Sequence, residues 1–116
     1  MKIKKIGWTS FLISNPNISV MTDPLLLSES GTSFPKTSTD IVVVTNYEKE
    51  IKESIIKDSK LDGKVVPEHR EKVMEICSPG EFEVRGLMIR RDIDSDVYII
   101  DENNLRVVYL GGTDKN

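Results

Sequence analysis

Residues 41 to 45, IVVVT, restrict the fold more than any other stretch of the chain. Four β-branched residues in succession leave no polar position on either side of an extended backbone. The run therefore reads as a strand covered on both faces. Asp40 leads into it, and Thr45-Asn46 closes it with a polar turn. The following residues, 47 to 59, change period. Tyr47, Ile51 and Ile55 fall at i, i+4 and i+8 with Ile56 beside them, which is the apolar stripe of an amphipathic helix. Glu48 with Lys52 and Glu53 with Lys57 are i, i+4 pairs in the favourable order. A strand that ends in a polar turn and feeds a helix is a common place for an active site. Asn46, Glu48 and Glu50 stand at this junction and offer oxygen ligands to a hard cation such as Mg²⁺ or Ca²⁺. Glu48 and Glu50 also complement the positive end of the helix dipole from its first turn, which requires no metal.

The flanks read mostly as sheet. Residues 2 to 8, 10 to 14 and 18 to 22 are predicted strands of an antiparallel meander, with Asn15-Pro16-Asn17 as a turn. Asp23-Pro24 ends the third strand, since proline lacks a ladder donor. Residues 28 to 39 are small and polar, are broken by Gly31 and Pro35, and are expected to form a loop. A short strand is expected over 64 to 66. From residue 72 onward, KVMEIC, EFEVRGLMIRR, DVYIID and LRVVYL follow one another as strands. Pro79-Gly80, Ile93-Asp94-Ser95 and Glu102-Asn103-Asn104 separate them. Asparagine in the last of these suits the positive φ of a hairpin turn. Gly86, inside EFEVRGLMIRR, marks a bulge or bend. The expected class is α+β, with about eight strands, mostly antiparallel pairing and one main helix.

Composition narrows function by exclusion. The 116 residues fit one domain with a single core. A net charge of −3 without clustered Lys and Arg argues against nucleic acid as a partner. Lys2, Lys4 and Lys5 read as the solvated side of a first strand. No apolar run approaches the ~18 residues of a membrane helix, and the N-terminus lacks an apolar signal segment. The single cysteine, Cys77, permits no intrachain disulfide and fits a reducing, cytoplasmic setting. Its neighbours Met74 and Ile76 mark it as a buried structural thiol.

Candidates for chemistry are few. His69 is the only histidine; it lies in the polar stretch PEHRE and reads as a surface loop residue. Asp23 is either a site carboxylate at a strand end or a turn-former. Gly111-Gly112 follows a strand but opens no helix, so it is a weak phosphate-loop signal. The residues taken alone define a domain without a defined chemistry.

The order of stretches carries more. KIGWTSFLI, ISVMTDPLL, TDIVVVTNYEKEI, SPGEFEVRGLMI and LRVVYLGG together resemble the metallo-β-lactamase-fold hydrolases, and within them the lactonase-like branch. The similarity runs from residue 2 to residue 112, and PGEFEVRG is its most specific part. It implies an αββα sandwich of two similar halves, with two zinc ions and a bridging hydroxide between them. The family's ligand run, strand-Thr/Ser-His-x-His-x-Asp-His, falls here on Asn46, Glu48, Glu50 and Ile51. Its Gly-His near the first hairpin falls on Gly7-Trp8, and its bridging aspartate on Gly112. The histidine-bearing loop after PGEFEVRG is replaced by a short passage from Arg90-Arg91 to the next strand. Asp23, the aspartate of TDP, keeps the family identity.

The resemblance thus implies one half of the sandwich over residues 1 to 116, emptied of its zinc site. The expected function is a non-catalytic interaction or assembly module without a cofactor. Its partner would be a second copy, docked on an open sheet face, or a second-half protein in trans. The alternative is a hydrolase of altered chemistry, acting on a phosphoester or lactone, with Mg²⁺ or Mn²⁺ held by Asp23, Asn46, Glu48 and Glu50.

Overall fold

A computed structural model describes residues 1–6, 10–23, 36–44, 64–95 and 97–110. Its strands are β1 (Lys2–Lys5), β2 (Phe11–Asn15), β3 (Ile18–Thr22), β4 (Thr37–Ser38), β5 (Ile41–Val43), β6 (Val65–Val66), β7 (Met74–Ile76), β8 (Gly80–Val84), β9 (Leu87–Arg91), β10 (Tyr98–Glu102) and β11 (Leu105–Tyr109). Among the described residues there is no helix and about 59% are strand. The molecule is therefore β-rich, and the expectation of an α+β fold with one main helix is corrected. The helix expected over 47 to 59 lies outside the described residues. The strand count was low for two physical reasons: β4 has two residues, too few to carry a period, and the single strand expected over EFEVRGLMIRR is two strands, β8 and β9.

Two sheets build the core. The first has the order β1-β2-β3-β5-β7; its first two pairings are antiparallel and its last two parallel. The second is an antiparallel meander, β8-β9-β10-β11. A small parallel pair, β4 with β6, stands apart. Thr37 and Ser38, expected in a loop over 28 to 39, thus belong to a strand, and Thr39 beside them is buried; residues 24–35 lie outside the described residues.

Turn chemistry sets the registers. Asn15 Oδ1 accepts the N–H groups of Asn17 at 2.7 Å and Ile18 at 2.9 Å, which closes the β2–β3 hairpin. Arg85 and Gly86 have φ of 47° and 93° and form a two-residue turn between Val84 and Leu87. Gly86 therefore makes a hairpin of two strands, where a bulge or bend within one strand was expected. Asn103, at φ 52°, turns β10 into β11 as its type predicts.

Side-chain alternation then divides the interior. Ile13, Ile18, Val20, Ile41, Val43 and Ile76 of the first sheet pack on Leu87, Ile89, Tyr98, Ile100 and Tyr109 of the second. Met21, Val42, Val44 and Val65 form a separate cluster on the opposite face of the first sheet. Ile41 to Val44 are thus buried alternately to the two sides, as the unbroken β-branched run requires. Each such side chain contributes roughly 1.5–3 kcal/mol when fully buried. The first sheet meets its partner sheet within the chain.

Candidate functional site

The parallel strands β3, β5 and β7 begin together and end together, so the first sheet has two poles. At the carboxyl pole, Asp23 follows β3. Its N–H donates to Val43 O at 2.9 Å, which fixes it beside the end of β5. Its φ of 38° is left-handed, a conformation that Asp tolerates better than most residues. The residue is only 1% exposed. Tyr109 OH donates to Asp23 Oδ2 at 2.6 Å, and Ser10 Oγ donates to Asp23 O at 3.1 Å. The turn-former is also a buried carboxylate, held by a phenol from the second sheet.

Arg91, at the end of β9, reaches the same pole. Its Nη1 donates to Val44 O at 3.2 Å and its Nη2 to Cys77 O at 3.4 Å. These carbonyls belong to the residues that directly follow β5 and β7. Tyr98 OH lies 3.1 Å from Val44 O and 3.1 Å from Ile76 O, and Arg91 sits 5.4 Å from the Tyr98 ring centre. Arg91 Nε is buried without a hydrogen-bond partner, and no described carboxylate forms an ion pair with the guanidinium. Burial pushes the Tyr98 phenol up to about 12, against the opposing charge of Arg91. Burial, helped by the charge of Glu75, pushes the Cys77 thiol up to about 11, again against Arg91. Both groups stay protonated at neutral pH, so neither is a ready nucleophile or metal ligand.

The amino pole is built on Asp40, which is fully buried where β5 begins. Its Oδ1 accepts the backbone N–H groups of three consecutive residues, Glu68, His69 and Arg70. Its Oδ2 accepts Ser19 N–H at 3.1 Å and lies 2.7 Å from His69 Nδ1. Ser19 Oγ donates to Glu68 Oε1 at 2.7 Å. Burial raises the Asp40 pKa, but the backbone and ring hydrogen bonds of His69, then those of Ser19 and Glu68, outweigh it and hold the carboxyl below its ordinary value. Asp40, Glu68 and His69 are the one group of potential metal ligands among the described residues. Asp40 has no lone pair to spare, because a carboxylate accepts about four hydrogen bonds. The cluster is a clasp that ties the segment before β7 to the start of β5.

Of the four sequence candidates, Asp23 alone is placed. Asn46, Glu48 and Glu50, like Gly7-Trp8, Ile51 and Gly112, lie outside the described residues. Arg91, Tyr98 and Tyr109 carry no local signal of a place at this pole, because each sits in an ordinary strand pattern. His69 is exposed in a loop as expected, yet its ring is anchored on Asp40. A lone histidine and an aspartate heading a buried strand were the available signals.

The fold agrees with comparison to known proteins. The family model described as a β-lactamase superfamily domain matches residues 2–116. The chain belongs to that family. Among solved structures it is similar to a protein from Thermotoga maritima described as a Zn-dependent hydrolase of the metallo-β-lactamase superfamily, with a TM-score of 0.64 at 18% identity. The match covers 94% of this chain and 47% of that one, so this chain spans about half the length of that structure. No curated protein matches.

The described residues at the carboxyl pole do not fit a zinc ion. They offer one carboxylate already bound to a phenol, a thiol held protonated and a guanidinium without an ion pair to any described carboxylate. Zinc sites are built from neutral imidazoles, thiolates and carboxylates instead.

Proposed function

We propose that this chain is a non-catalytic member of its superfamily, an interaction or assembly module that works as a homodimer without a resident metal in a cytoplasmic setting. The observation that carries this reading is Arg91, placed across the ends of β5 and β7. A guanidinium stays charged at any physiological pH. Like unit charges ~6 Å apart repel by ~3 kcal/mol at an effective dielectric of ~20, and a dication doubles that. A fixed cation beside the strand end that feeds residues 46–50 opposes metal binding there. Assays with lactones and phosphoesters, with Zn²⁺, Mg²⁺ or Mn²⁺ added, are expected to give no turnover above buffer. A metal-dependent rate would overturn the proposal.

A second reading keeps an enzyme of altered chemistry. It is favoured by Asp23, whose N–H bond to Val43 sets a carboxylate beside the strand from which Asn46, Glu48 and Glu50 continue. Those oxygens would hold Mg²⁺ or Mn²⁺ rather than zinc. A thermal unfolding midpoint that rises with added Mg²⁺ or Mn²⁺ would favour it over the first reading. The assembly reading has two forms, a second copy or a second-half protein in trans. Co-purification from the native host would reveal the latter.

A further inference from the structure

A sheet edge is a row of unspent backbone donors and acceptors, and proteins usually guard it. Among the described residues, three of the four edges of the two larger sheets carry such guards. β1 is an exposed row with Lys2, Lys4 and Lys5. β8 carries exposed Glu81 and Glu83, and β7 is three residues long with Glu75 at its centre. β11 differs. It is LRVVY, five residues with no Pro or Lys, and among the described residues its one neighbour is β10. Its single charge, Arg106, is neutralised by Asp101 directly opposite, at 2.8 and 3.1 Å. Leu105, Val108 and Leu110 are three of the five exposed large apolar side chains among the described residues.

We infer that a second copy of this chain pairs with β11 edge to edge, antiparallel across a twofold axis, so that two four-stranded sheets become one. This rests on the assembly reading above and gives that assembly a site. The two-residue turn at Asn103-Asn104 makes Glu102 and Leu105 a hydrogen-bonded pair. Alternation then turns the backbone groups of Leu105, Val107 and Tyr109 toward β10 and those of Arg106 and Val108 away from it. A twofold axis at Val107 sets Arg106 opposite Val108 of the partner subunit, and the reverse. All the new backbone bonds then come from these two residues. An axis at Arg106 would instead oppose two guanidiniums, which is destabilising. The edge is complementary to itself in the first register, which is why a second copy is the occupant.

Light scattering on eluting protein, from micromolar to sub-millimolar concentration, tests this with two variants and a control. Val108→Pro removes an outward N–H at a position where an edge strand tolerates proline. Val108→Lys adds the missing edge guard. Ile3→Lys alters the β1 edge instead. Wild type and Ile3→Lys are expected to be dimers, and both Val108 variants to weaken dimerisation at least about tenfold. If Val108→Pro does not fold, Val108→Lys decides, together with amide exchange of the wild type. Raising the concentration should slow exchange at Arg106 and Val108 while Val107 stays unchanged. A dimer that survives both substitutions, or Arg106 and Val108 amides indifferent to concentration, overturns the β11 interface and leaves the assembly reading standing. A monomeric wild type at every concentration overturns both.

Discussion

Tyr109 and Asp23, 86 positions apart in the chain, are joined by a 2.6 Å hydrogen bond from phenol to carboxylate. It ties the end of β11 to the end of β3 and so links the two sheets at the carboxyl pole. Asp23, the one sequence candidate among the described residues, thus has a structural partner inside its own fold.

Tyr109→Phe removes that donor while keeping the ring, including its edge contact with Phe11 at 6.2 Å. A buried carboxylate is left one hydrogen bond short, at a cost of about 1.5–3 kcal/mol. Urea unfolding should show a lower midpoint with an unchanged slope. An unchanged midpoint would mean that the bond contributes nothing to stability.

Asp40 should dominate the acid limb of stability. Its folded pKa lies below the ordinary value of 3.8, so its contribution is complete above that pH and is lost as pH falls through the folded value. Asp40→Asn puts an amide where donors converge and should cost roughly 3 kcal/mol or more at neutral pH. The gap between wild type and variant should narrow steadily below about pH 4. A gap that is constant down to pH 2, read by denaturant melts across that range, would contradict the clasp.

Cys77 should be inert in the native protein. A thiol titrating at about 11 is almost entirely protonated at pH 8. Reaction with an aromatic disulfide reagent should be slow under native conditions and fast in guanidinium. Rapid labelling of the folded chain would contradict this placement.

How much of this was legible in the sequence follows from where information sits in a chain. The run from Ile41 to Val44 could be read correctly because burial on both faces is a statement about consecutive residues. Asn15-Pro16-Asn17 and Asn103-Asn104 were legible because φ preferences are local. Gly86 was misplaced within a strand because a two-residue hairpin between apolar arms looks like one long strand with a flaw. Thr37 and Ser38 were taken for loop, since their strand exists only through pairing with Val65 and Val66. The poles were the least legible. Tyr109 with Asp23, Arg91 with Val44 and His69 with Asp40 are long-range pairs that no local pattern announces.

The central claim is that the carboxyl pole is retained as architecture and no longer holds the family's metals. Equilibrium dialysis of the purified chain against micromolar free Zn²⁺, with elemental analysis, tests it most directly. The account predicts well under one zinc per chain. A stoichiometry approaching the two ions of a dinuclear hydrolase site would contradict it.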